Sequence, residues 1–299
     1  MGPAVEHWLD APDGSRLSVV DVPPKGTARL VAIVGHAMMV DRRTVYREDR
    51  PSLCGALADA SIRVLVPDLR GHGASGPSAA QGADWTYEDL IDDVGRYIAL
   101  AQQLEPELPI VLVGNSLFGH VGLAHVGAAA TAPVAAIVGF AVNIWNKRWN
   151  VGAHRWWIKR SLIELSRPAV EVLGYLPTKR IGFGSSDESG AYWRDMVRWV
   201  RSDTWGNAAG DDYVERLGRV RRPFLHVVSE GDRLLSRPED ALRFSEPLAE
   251  YREILKLGAN CSVPALRHLR PGHVEMVSDP ECLPLWNHVA HWMLGAASG

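Results

Sequence analysis

The chain has 299 residues, 46% hydrophobic and 22% charged, enough for one substantial core with room for an insertion. Its formal net charge of -3 and the lack of any long block of one sign argue against nucleic acid as a partner, and small molecules or proteins are expected instead. Cys54, Cys261 and Cys282 are odd in number, far apart and without CxxC spacing, which argues against a disulfide framework or a zinc cluster and for free buried thiols.

In chain order, the N-terminal MGPAVEHWLD has neither a basic region nor an apolar stretch of the kind that directs export. No apolar run reaches the roughly 18 residues of a membrane helix, so a cytoplasmic protein with no membrane partner is expected. VEHWLD and RLSVVDV flank a Pro-Asp-Gly-Ser turn at 12–15 and read as an edge hairpin. ARLVAIV, IRVLVPD, PIVLVGN and VAAIVGF then alternate with helix-compatible stretches, and FLHVVSE and REILKL follow much later. Such Val/Ile-rich runs predict strands covered on both faces, hence an α/β fold with a mostly parallel central sheet. Between the two groups, residues 142–215 hold seven of the eleven tryptophans at helical spacing. This predicts a helical cap inserted into a core of residues 1–141 and 216–299. Within it, Trp193, Met196, Val197 and Val200 share one helical face and Arg194, Arg198 and Arg201 another. The tryptophans are read as packing the cap onto the core, with some rings lining a pocket. Residues 142–210 carry eleven basic against six acidic side chains, which either solvate the helices or attract an anionic or carrier-linked substrate.

Chemistry concentrates at strand ends. In 109-LPIVLVGNSLFGHVGL-124 a strand stops at Gly114, presents Ser116 and turns into a helix, the pattern of a nucleophile elbow. A second small residue is expected two positions after the serine, where Phe118 stands, and the nearest glycine is Gly119. By itself the stretch also fits a serine that caps a helix. VAIVGHAMM leaves its strand through Gly35 and His36, so that the N–H of Ala37 or Met38 faces a developing oxyanion, Ala37 being preferred, with Leu117 as the second donor. VVSEGDRLL offers Asp232, with Glu230 as the less favoured acid, and RPGHVEMV offers His273 on a loop. The order Ser116, Asp232, His273 is that of triads on an α/β-hydrolase sheet. His120, one turn after Ser116, is read as packing, and Asp92 and Asp93 as a solvated helix face. His288 and His291 lack a carboxylate at the remaining helical spacing, and no metal or cofactor is called for.

VGHAM, VPDLRGHGASG at 66–76, VGNSLFGH and the GD and GH pair resemble the α/β-hydrolase superfamily over nearly the whole chain. GYLPTKRIGFG followed by YWRDMVRWVR is similar to the cap of a group of bacterial serine hydrolases. The resemblance implies hydrolysis of an ester, thioester or amide through an acyl-enzyme, with Ser116, Asp232 and His273 as the triad and His72 as a structural residue. Met38, Phe118 and Trp145 are expected to contact a small acyl substrate with a sizeable apolar group, Phe118 by turning its ring into the pocket. C–C bond hydrolysis, acyl transfer, or a silent ligand-binding protein whose elbow Phe118 spoils are the alternatives.

Overall fold

The computed structural model describes residues 3–129 and 131–298. Strands β1 (Val5–Asp10) and β2 (Arg16–Val22) form the edge hairpin. β3 (Leu30–Gly35), β4 (Ile62–Pro67), β5 (Ile110–Asn115) and β6 (Val134–Phe140) follow. A two-residue pair, β7 (Tyr175–Leu176) and β8 (Glu188–Ser189), lies between β6 and the last strands, β9 (Phe224–Ser229) and β10 (Arg252–Leu257). The main sheet has the order β1-β2-β4-β3-β5-β6-β9-β10, with β2 antiparallel to both neighbours and the other pairs parallel.

Helices α1 (Leu53–Asp59), α2 (Tyr87–Leu104) and α3 (Leu117–Ala128) connect the first strands. α4 (Ala153–Leu173) and α5 (Gly190–Ser202) lie between β6 and β9, with α6 (Tyr213–Leu217) after them. α7 (Pro238–Phe244), α8 (Glu275–Ser278) and α9 (Leu283–Ala296) complete the chain. Two cores result, one on each face of the sheet. In β5, Ile110 and Leu112 enter the core shared with α2, α3, α4 and α5, while Val111 and Val113 enter the one shared with α1 and α9. Alternation with period two divides a continuous apolar run between two hydrophobic layers. Among the described residues, no helix is long and apolar enough to cross a membrane.

The solvated face expected at Asp92 and Asp93 is half wrong. Asp93 is buried and accepts from Arg70 through both oxygens, at 2.9 and 2.6 Å, whereas Asp92 is exposed. Burial pushes the Asp93 carboxyl up to about 6 even with the guanidinium beside it. The glycine-rich loop after β4 is thereby tied to α2.

The segment between β6 and β9 packs by its aromatic side chains. Trp199 and Trp205 meet Tyr87 and Tyr213 edge to face, and Trp205 also meets Phe244, joining this segment to α2, α6 and α7. Trp193, Met196, Val197 and Val200 are buried on one face of α5, whereas Trp157 on α4 is exposed. A charged bolt supplements this packing. Lys159 on α4 is buried and donates to Asp240 on α7 at 2.9 Å, and Asp240 also accepts from the Val151 N–H at 2.7 Å. Burial pulls the Lys159 ammonium below its usual range, and Asp240 offsets part of that loss. Removing one member of such a pair strands the other charge in a dry site, at a cost of about 3–5 kcal/mol. Urea unfolding of Lys159→Met should therefore show a loss of that size, and Lys159→Met/Asp240→Asn should recover much of it. A loss below about 1 kcal/mol would remove the pair from any role in anchoring α4.

Candidate active site

The turn from β5 to α3 is set by two glycines. A Cβ on Gly114 would lie 2.3 Å from the Gly119 nitrogen, and one on Gly119 would lie 2.4 Å from Val142 Cγ2. The second small residue is thus needed at 119 rather than 118. Between them Ser116 has φ 48° and ψ -104°, a sparsely populated conformation costing on the order of 1–3 kcal/mol for a non-glycine residue. Its N–H is held by the Phe140 carbonyl at 2.9 Å. Asn115 donates to that carbonyl and to the carbonyl of His273, both at 3.2 Å, so the turn also fixes the histidine loop.

Phe118 does not line the cavity, contrary to the sequence-based expectation. The ring is buried against Gly35 at the end of β3, where a Cβ would fall 2.1 Å from a ring carbon, and its centroid lies 6.4 Å from that of Tyr97. Gly35 supplies the room that a small residue at 118 would otherwise have supplied.

His273 donates from Nδ1 to Asp232 Oδ2 at 2.6 Å, and Asp232 also accepts the N–H groups of Leu235 and Ser236 at 3.0 Å each. Burial raises the Asp232 carboxyl, but the hydrogen bond and charge of His273 and the two N–H groups outweigh it, and the group lies below its usual range. Glu230 points elsewhere, pairing with Lys256 and Arg270. Ser116 and His273 face one cavity of about 180 Å³, and Ser116 Oγ has no hydrogen-bond partner among the described residues. Met38, Trp145, Phe183 and Leu235 contribute to its walls. Trp145 is held in place, its indole N–H donating to the Leu235 carbonyl at 3.0 Å and its ring lying 5.7 Å from Lys159 Nζ.

The N–H groups of Ala37, Met38 and Leu117 have no acceptor among the described residues. His36 discriminates between the first two. Its Nε2 accepts from the Leu69 N–H at 3.0 Å, and burial drives its basicity down to about 3, so the neutral ring carries its proton on Nδ1 and donates to the Ala37 carbonyl at 2.8 Å. In a trans peptide the next N–H points the opposite way. With the Ala37 carbonyl turned inward to buried His36, the Met38 N–H is turned outward, which favours Met38 over the preferred Ala37 as the first donor.

Segment 184–188 straps this loop. The Met39 N–H donates to Glu188 Oε1 at 2.5 Å, the Ser186 N–H donates to the Met39 carbonyl at 3.1 Å, and a Cβ on Gly184 would meet that carbonyl at 2.1 Å. Glu188 Oε1 also lies 3.0 Å from His72 Nε2, while His72 Nδ1 lies 2.7 Å from the Arg70 carbonyl. Both partners are acceptors, so both ring nitrogens carry protons. Burial opposes that charge, but Glu188 wins and the His72 basicity is raised.

The sequence reading missed Asn143, Phe183 and Tyr192 as cavity residues, and it left His120, which also lines the cavity, as packing. For His120 the signal was present, since a residue four after the serine returns to the same side of α3. Asn143, Tyr192 and Glu188 carry no local pattern. Of the eleven basic residues in 142–210, none lines the cavity.

The family model described as serine aminopeptidase, S33, matches residues 47–254. No curated protein matches the sequence. Among solved structures, a thermophilic esterase from Thermogutta terrifontis is 18% identical, with 99% of this chain and 100% of that one covered and a TM-score of 0.63. Est1E from Butyrivibrio proteoclasticus, with ferulic acid bound, is 14% identical over 98% and 100%, with a TM-score of 0.66. The thioesterase domain from the curacin biosynthetic pathway is 14% identical over 98% and 100%, with a TM-score of 0.57. At these identities the likeness is one of fold.

The packing of Phe118 on Gly35 makes a coupled prediction. Phe118→Ala should lower stability by about 3–5 kcal/mol. Gly35→Ala should be destabilising alone but much better tolerated in the Phe118→Ala background, because the ring it strikes is gone. Additive losses in thermal unfolding of the double variant would show that the two sites do not meet.

Proposed function

Because the chain belongs to the serine aminopeptidase S33 family of α/β hydrolases, we propose that it is a serine hydrolase cleaving an ester or thioester of a compact small molecule through an acyl-enzyme. The observation that carries this is Ser116, in strained geometry at φ 48°, opening on the same cavity as a histidine whose other nitrogen is held by Asp232 at 2.6 Å. His273 Nε2 takes the Ser116 proton as Oγ attacks the carbonyl carbon. The N–H groups of Leu117 and Met38 receive the oxyanion, and collapse of the tetrahedral intermediate expels the alcohol or thiol with the proton from His273. Water, deprotonated by the same nitrogen, then releases the acid and restores Ser116. Asp232 keeps the proton of His273 on Nδ1 throughout.

Two features of the cavity narrow the substrate. Its lining includes no Asp or Glu among the described residues, so the α-ammonium of a peptide would enter without a counter-charge, which favours esters and thioesters over aminopeptidase substrates. Its volume of about 180 Å³ falls below the roughly 300–1,000 Å³ of typical ligand sites, favouring a compact group over the sizeable one expected from sequence. Esterases and a thioesterase share the fold, in keeping with this reading. The silent-binder alternative rested on Phe118 spoiling the elbow, and the room at Gly35 removes that ground.

A fluorophosphonate should label wild type at Ser116. Ser116→Ala should abolish both label and hydrolysis of p-nitrophenyl acetate, with losses of roughly 10⁶ in kcat seen for such nucleophiles. Asp232→Asn should cost about 10⁴. Undiminished hydrolysis by folded Ser116→Ala would refute the assignment. Glu188→Ala, which frees the loop bearing Met38 and Met39, should lower kcat by an amount approaching the 10²–10³ of a lost oxyanion donor, with Glu188→Gln retaining more because it keeps an acceptor for the Met39 N–H. Equal kcat for all three forms would leave Glu188 without a positioning role.

A further inference from the structure

The cavity beside Ser116 is walled mainly by apolar side chains, including Met38, Met39, Ile144, Met196 and Val274. Against that background three polar side chains stand out. Asn143 and Tyr192 line the cavity and are buried, yet Asn143 Oδ1 and the Tyr192 hydroxyl have no hydrogen-bond partner among the described residues. His120, also buried, completes the group from α3.

The state of His120 follows from its neighbour. Its Nδ1 lies 2.7 Å from the hydroxyl of fully buried Tyr87, whose ring stacks on the imidazole at 5.6 Å. Burial drives the His120 basicity down to about 3 and the Tyr87 phenol far above its usual range, so a neutral imidazole faces an intact hydroxyl. Were Nδ1 protonated, the Tyr87 hydrogen would be buried with no acceptor among the described residues, a penalty of about 1–3 kcal/mol. The favoured arrangement has Tyr87 donating to Nδ1 and the ring proton on Nε2. That N–H donor has no hydrogen-bond partner among the described residues, and His120 lines the cavity.

Buried polar groups are ordinarily satisfied, and a few polar groups in an apolar pocket are what fix a ligand's orientation. Building on the hydrolase reading, we propose that His120, positioned by Tyr87 and flanked by Asn143 and Tyr192, forms a subsite for an uncharged oxygen of the substrate, a ketone or hydroxyl, set apart from the scissile carbonyl. The separation follows from helix geometry. His120 lies four residues beyond Ser116 on α3, roughly 6 Å along the axis, which matches an oxygen about four to six bonds from the carbonyl carbon. Neutrality follows from the walls, since no Lys or Arg lines the cavity among the described residues and a carboxylate would enter without a counter-charge.

The test compares kcat/KM for p-nitrophenyl 4-oxopentanoate with that for p-nitrophenyl pentanoate, and for 4-oxopentyl acetate with pentyl acetate, so that acyl-borne and alcohol-borne oxygens are read separately. Wild type should prefer the oxo member of one pair by roughly ten- to a hundredfold. His120→Leu should bring that ratio close to one, and Tyr87→Phe, which lets the ring take either tautomer, should lower it part of the way. Ratios near one in both wild-type pairs, or a ratio unchanged in His120→Leu, would overturn the proposal. If His120→Leu does not fold, an unchanged ratio in Tyr87→Phe does so. Fluorophosphonate labelling of the same preparations separates the two levels: label at Ser116 with flat ratios defeats the subsite alone, whereas no label defeats the hydrolase reading.

Discussion

The candidate-site end of the sheet depends on a row of three glycines at one level on adjacent strands. Gly35 on β3 pairs with Gly114 on β5, which pairs with Gly139 on β6. Each occupies a place where a side chain would strike what lies above it: the Phe118 ring at Gly35, the Gly119 backbone at Gly114, and Val142 at Gly139. The row lets α3 begin directly against the strand ends. With so little distance to reverse in, the chain must pass through Ser116 at positive φ, and the strain is held by packing on three sides. The same close approach aims the helix N-terminus and the Leu117 N–H at the space beside Ser116, where negative charge would develop.

Around this dry framework the buried charges connect pieces that are remote in sequence. Arg70 with Asp93 ties a loop to α2, His72 with Glu188 joins that loop to the strap over Met39, and Lys159 with Asp240 fixes α4 to α7. Such pairs add little net stability over apolar packing, because desolvation consumes most of the attraction. Their value lies in geometry. Glu188 at once satisfies an imidazolium and the Met39 N–H, so the loop that presents Met38 is held by a segment from between β6 and β9.

The strands and the mostly parallel character of the sheet were legible because doubly covered strands read as continuous apolar runs, and each expected run became a strand. That Ser116, Asp232 and His273 meet at one end of the sheet was legible because each ends a strand or follows a Gly-bearing loop, where local sequence dictates backbone shape. Phe118 was misread because its fit depends on Gly35, some eighty residues earlier, which the pattern around the serine does not contain. Asp93 was misread for a like reason, since two adjacent aspartates on a helix look solvated until Arg70 arrives from another loop. His120, Asn143 and Tyr192 come from three different elements, and only the closed fold reveals that their polar atoms share a cavity.

That cavity explains how charge is distributed around the site. Acidic and basic side chains sit behind its walls or on the outer surface of 142–210, while its lining offers neutral donors, thioethers and aliphatic carbons. A net field from Lys or Arg inside would bind the product carboxylate as readily as the transition state, and uniform binding of that kind does not speed the chemical step. Neutral N–H donors in a water-poor space act differently. They interact modestly with an ester carbonyl and strongly with the oxyanion formed from it, because the low local dielectric magnifies the change in charge. On the proposed hydrolase reading, with charge absent from the lining, discrimination among substrates would fall to shape and to a few hydrogen bonds, and each unsatisfied polar atom there would set a chemical requirement that a purely hydrocarbon acyl group leaves unmet.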